Sequence, residues 1–240
     1  MTFILMHKTC ALWESGALPA PELIARVGAL LGRWTAADVL RAGEGLRASS
    51  EGVRVIFSGG ARTIVPGPFE GGNELPAGFD ILRARSLDEA VEWAARLADV
   101  HGDLEVDIRP VTEPWDIGLA PRPAGDDTRR YMVLRKASTA SESASPPSAA
   151  QRAALSRLID ETTRGGRHLA AVAMRPSARG RRLLNTDNGV IVFDGPFVET
   201  KELIAGYVIV SAASPDEATG LAREYLAAVD AAEVDVRELE

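Results

Sequence analysis

One order of apolar and polar positions runs along this chain twice. Residues 3–8 form a short apolar run rich in strand formers, and residues 131–136 repeat its character. A polar stretch follows each run and ends at Pro19 or Pro147. A helical period comes next, carried by Leu23, Val27, Leu30 and Leu31 in the first passage and by Leu155, Leu158 and Ile159 in the second. Ser148 with Gln151 predicts a capping box, and Gly165-Gly166 the end of that helix. Strands are predicted over 39–46 and 167–174. A hairpin follows, turning at Ser58-Gly59-Gly60 in the first passage and at Asn188-Gly189 in the second. Further strands are predicted over 79–84 and 207–212. The second helices open at Ser86…Glu89 and Ser214…Glu217, both read as capping boxes, with Pro215 at the favoured first position. The last strands are predicted over 105–111 and 233–239.

The two passages align without a gap. A shift of 128 positions pairs residues 3–112 with 131–240 and matches 30 of those 110 pairs. Chance at average composition gives roughly 7%. Gly67-Pro68-Phe69 meets Gly195-Pro196-Phe197, and Glu105-Val106-Asp107-Ile108-Arg109 meets Glu233-Val234-Asp235-Val236-Arg237. We read a tandem duplication: one repeat over 1–112, a Pro-rich linker over 113–130 and a second repeat over 131–240. Each repeat, stripped of its hairpin, has the order of the split βαβ, or ferredoxin-like, α+β fold. Such a sheet carries both helices on one face and needs a cover on the other. Two sheets packed face to face supply it, either within one chain as a pseudo-dimer or between two chains as a homodimer. The linker is semi-rigid and long enough for the first.

Composition narrows the rest. Of 240 residues, 46% are apolar and 25% charged, as in ordinary globular proteins. The net charge of −7 is spread evenly and argues against a nucleic-acid partner. Arg175, Arg179, Arg181 and Arg182 are the local exception, read as a solvated loop. A lone cysteine, Cys10, excludes an internal disulfide framework and fits a reducing cytoplasm. Three histidines share no close spacing with it, so no metal is expected. No apolar run is long enough for a membrane span, and no phosphate loop or Gly-x-Gly-x-x-Gly motif predicts a cofactor.

The segment Asp194-Gly195-Pro196-Phe197, with Glu199, Lys201-Glu202 and Gly206-Tyr207, resembles the DGPF, or YCII-related, proteins of bacteria. Ala42-Gly43-Glu44-Gly45-Leu46-Arg47, Phe57-Ser58-Gly59-Gly60 and Asp88-Glu89-Ala90 add to the likeness, which spans both repeats. The resemblance implies a dimeric α/β-barrel built from ferredoxin-like units. It does not choose a function. Some such proteins resemble enzymes using a His–Asp pair, and others accompany extracytoplasmic-function sigma factors. The first repeat departs from the motif, with Pro66 in place of the aspartate and Gly71 and Asn73 in place of Glu199 and Lys201. The second has Val172 where the first has Glu44. No histidine recurs: His7, His101 and His168 meet Arg135, Val229 and Leu40.

Candidate site residues follow, each with a plainer alternative. Asp194 is a general base or ligand anchor, or the acceptor of an Asx-type turn. Glu44, mid-strand among small residues, needs a partner or a task, and Arg47 is its candidate partner. Lys201 and Glu202 form a charged wall of the site, or an exposed pair worth little. Lys8 and Lys136 recur at strand ends and read as stems snorkelling over the core. Trp34 and Trp93 belong to the core, while Trp13 and Trp115 either stack on a ligand or cover the linker. The leading expectation is a small-molecule-binding or regulatory protein with a cleft at Asp194–Glu202 and the Glu44 strand. The alternatives are an isomerase or lyase using Asp194 and Glu44 for proton transfer, and a module docking on a sigma factor. Whether the chain is an enzyme stays open at this level.

Overall fold

The computed structural model describes residues 1–69, 74–143, 145–197 and 203–240. It is a mixed α+β protein with two antiparallel six-stranded sheets. The elements are β1 (Thr2–Lys8), α1 (Ala11–Glu14), α2 (Pro21–Ala36), β2 (Leu40–Gly45), β3 (Val53–Ser58), β4 (Ala61–Pro66), β5 (Pro76–Ala84), α3 (Leu87–His101) and β6 (Leu104–Pro110). The same order returns as β7 (Arg129–Lys136), α4 (Thr139–Glu142), α5 (Ala149–Arg164), β8 (His168–Ala173), β9 (Arg181–Thr186), β10 (Gly189–Asp194), β11 (Ile204–Ser211), α6 (Pro215–Val229) and β12 (Glu233–Glu238).

The chain forms two compact units, and each draws on both halves of the sequence. One unit comprises 1–45 and 174–240, the other 46–173. The first holds the sheet β10-β9-β12-β1-β11-β2, the second the sheet β4-β3-β6-β7-β5-β8. Replacing each strand by its counterpart 128 positions away converts one order into the other. Thus β1 does not pair with strands of its own half but lies between β11 and β12, with Met6 opposite both Tyr207 and Asp235. The segment 113–130 joins two neighbouring strands, β6 and β7, and is tied down on the way. Glu113 is buried against Arg130, and Asp116 binds Arg129 at 2.7 Å.

Strand alternation divides the side chains between two faces. In the first unit Phe3, Leu5, Val208, Val210, Val234 and Val236 pack with Leu30 and Trp34 of α2 and Ala222, Tyr225 and Leu226 of α6. In the second, Val55, Val106, Ile108 and Val133 pack with Trp93 and Leu97 of α3 and Leu158 of α5. The expected core places of Trp34 and Trp93 are therefore observed. The opposite faces carry Ile4, Met6, Tyr207 and Ile209 in one unit and Phe79, Ile81, Met132 and Leu134 in the other, all buried.

Local chemistry departs from the sequence reading in three places. Ser86 and Ser214 accept bonds from Glu89 and Glu217 backbone N–H groups, but those glutamates reach back to Arg85 and Ala213, one residue before the cap. Only Ser148/Gln151, among the three boxes expected, is reciprocal. The second hairpin turns on Asp187-Asn188, not Asn188-Gly189, because Gly189, at φ 107°, takes the first strand position after the turn. Arg181 and Arg182, expected in a solvated loop, open strand β9.

Candidate functional site

Each Gly-Pro-Phe segment leaves its hairpin over a short 3-10 turn, Ser49–Glu51 or Ser177–Arg179. The Gly67 and Gly195 N–H groups donate to the Gly52 and Gly180 carbonyls at 3.1 and 2.9 Å. The Phe69 and Phe197 N–H groups donate to the hydroxyls of the buried Ser49 and Ser177 at 3.4 and 3.1 Å. A Cβ at either glycine would stand 1.9 Å from a serine carbonyl oxygen, so only glycine fits. These contacts aim the phenyl rings. Phe69 lies 4.9 Å from the Arg54 guanidinium, and Phe197 lies 4.6 Å from that of Arg182. Both rings are half-buried.

Behind each ring sits a cluster of charges that the sequence reading missed. In the second unit Arg54 donates to Asp107 at 2.7 Å and to both Glu74 oxygens at 2.9 and 2.8 Å. Lys136 binds Glu74 and, at 2.7 Å, Asp107. In the first unit Lys8 and Arg182 each meet Asp235 at 2.7 Å, and Arg182 meets Glu233 at 3.0 Å. Lys8 and Lys136 are thus not snorkelling stems. Both are buried and ion-paired, because their strand ends face carboxylates across the sheet. Burial opposes the Arg54 charge, but the Asp107 and Glu74 bonds outweigh it and raise its pKa. Burial likewise works against the Asp235 carboxylate, yet Lys8 and Arg182 hold its pKa below the ordinary range. The missed signal was recurrence: Lys8/Lys136, Arg54/Arg182 and Asp107/Asp235 all survive the 128-residue shift.

The predicted site residues are only partly gathered. Lys201 and Glu202, with Glu199, lie outside the described residues. Glu74, the counterpart of Glu202, is the buried centre of one cluster. Asp194 ends the edge strand β10, with its side chain 80% exposed and bonded to Arg181 at 3.0 Å. Arg181 also binds Asp216 of α6, which puts Asp194 on the helical face. Glu44 stands on β2, the other edge, opposite Tyr207. Tyr207 faces Met6, and Met6 faces Asp235, so Glu44 lies on the non-helical face. Asp194 and Glu44 therefore occupy opposite edges and opposite faces of one sheet. From Glu44 to Asp235 is three strand spacings, about 14 Å. Arg47 pairs with Glu51 at 2.7 Å rather than with Glu44, and its carbonyl accepts from the buried Arg109.

The histidines are placed by burial. His7 lies over Gly206, its Nδ1 2.8 Å from the Tyr225 hydroxyl and its ring edge-on to Trp13. Burial, then the Lys8 charge, pushes it down to about 3. Arg135 fills the same space over Gly78 in the second unit. There His168 Nε2 meets Asp80 at 3.0 Å while stacking on Trp93, a carboxylate–imidazole pair sealed between strand and helix. Trp115 packs under Arg122 within the 113–130 segment. No group of three or more histidine, cysteine or acidic residues able to hold a metal ion occurs among the described residues. No helix among them is long and apolar enough to cross a membrane.

An α+β unit with paired ion clusters beside Gly-Pro-Phe turns is the class these observations define. Residues 129–240 match the model of the YCII-related domain. No curated protein and no solved structure matches the chain.

Proposed function

We propose that the chain is a tandem pair of DGPF-type repeats acting as a small-molecule-binding or regulatory protein, with its ligand sites beside the Gly-Pro-Phe segments. The ferredoxin-like, dimeric α/β-barrel architecture implied by the resemblance belongs to the same proposal. The observation that carries it is the phenyl–guanidinium pair found at both turns. Each arginine is held from behind by buried acids, so the half-buried ring rests on a rigid support and offers its outer face to a flat ligand. Proton transfer shared between Asp194 and Glu44 has less support, since no single substrate position reaches both. Docking on a sigma factor rests on the resemblance alone.

The test is a thermal-shift screen of small organic acids, amines and aromatics, followed by calorimetric titration of any ligand found. Affinity should fall at least about tenfold in a Phe69→Ala/Phe197→Ala double variant, the scale of a lost stacking contact. Unchanged affinity in that variant puts the site elsewhere and sinks the reading.

A further inference from the structure

Strand β10 is an edge of its sheet. From Gly189 to Phe193 it has no charge and no proline, and Ile191 and Phe193 are 46% and 47% exposed. Exposed apolar edges are templates for pairing with another strand, and proteins usually blunt them with charge or proline. This molecule contains its own control. Strand β4 holds the corresponding edge in the other unit; it too exposes apolar side chains, Ile64 at 45% and Val65 at 40%, but it carries a charge and a proline. It has Arg62, ion-paired to Glu92 at 2.7 Å, where β10 has Val190. It has Thr63 for Ile191 and Val65 for Phe193. It ends in Pro66, which has no N–H, where β10 ends in Asp194.

Hydrogen-bond alternation shows which groups of β10 look outward. The Asn185 N–H donates to Ala232 on the β12 side, so Thr186, Leu184 and Arg182 turn toward β10. Their partners Gly189, Ile191 and Phe193 are thereby used. Val190, Val192 and Asp194 turn their backbone groups away from β9, where no strand among the described residues pairs with them. The Val190 carbonyl accepts from Arg223 at 3.3 Å and keeps a second lone pair.

We infer that β10 is a self-association edge, pairing antiparallel with β10 of a second copy of this chain. The strand is its own complement. With Val192 opposite its symmetry mate, Val190 faces Asp194 of the other copy through the outward backbone groups. Ile191 then falls opposite Phe193 twice, in the non-hydrogen-bonded positions where side chains approach most closely. No like charges face each other in this register. A twofold axis makes such a contact closed, so it ends at a dimer.

Sedimentation equilibrium from roughly 1 μM to 1 mM, the range for so small a contact, tests it. The parent should form a dimer that dissociates on dilution. Ile191→Lys should weaken it about tenfold or more, and Ile191→Lys/Phe193→Glu should recover it because the introduced charges oppose each other. Recovery also shows that the single variant was folded. Thr63→Lys on β4 should change nothing. A parent that stays monomeric at the highest concentration, or an Ile191→Lys variant that dimerises like the parent, overturns the inference.

Discussion

His7 makes the stability of its unit depend on pH in a calculable way. Its imidazole is buried on the helical face, beside Lys8 in sequence and 2.8 Å from the Tyr225 hydroxyl. The fold therefore holds it neutral, and its pKa falls from 6.5 to about 3. The unfolded chain binds a proton below 6.5, whereas the folded one does not until about 3. A depressed folded value contributes stability that is complete above 6.5 and is lost as pH falls through that window. Each unit of the window is about 1.4 kcal/mol, so at pH 4.5, two units below the ordinary value, the loss is about 2.7 kcal/mol. Carboxylates titrate in the same pH range, so the measurement is a difference. His7→Asn keeps an acceptor for Tyr225 but does not titrate. Urea unfolding of both proteins at pH 7.5 and 4.5 should show the parent losing about 2.7 kcal/mol relative to the variant. A difference that is constant between the two pH values would refute the placement of a neutral, buried imidazole.

Three further outcomes follow from the site. Lys136→Met removes one of two cations from a buried cluster with two carboxylates and should cost about 3 kcal/mol or more in chemical unfolding, as broken buried pairs do. Gly195→Ala drives a Cβ into the Ser177 carbonyl and should destabilise sharply, while Gly220→Ala, mid-helix with nothing within 4 Å, should stabilise by about 0.5–1 kcal/mol. Asp194→Ala should change the unfolding free energy by less than about 1 kcal/mol, because the carboxylate is exposed and Arg181 keeps Asp216. A larger loss would mean that Asp194 shapes the turn.

The four long helices, the Ser148/Gln151 cap, the glycine turn at 59–60 and the helical core tryptophans were legible in the sequence, because they depend on neighbours within a few residues; the short helices α1 and α4, in stretches read only as polar, were not. The correspondence of residues 128 positions apart was legible too, and the elements follow the same order in both halves. The choice of strand partners was not. Since the halves share their apolar pattern, β1 can bury the same faces against strands of its own half or against β11 and β12. Only the folded chain decides, and it exchanges them. That exchange puts Lys8 beside Asp235 and Lys136 beside Asp107 and Glu74, joining residues from opposite halves. It also explains why Lys8 and Lys136 looked like surface stems: a charge's cost or use depends on what lies across the sheet, which no local pattern records. Asp194 and Glu44 illustrate the converse. Motif and isolation made them look like one site, but strand alternation and edge position set them on opposite sides of a sheet.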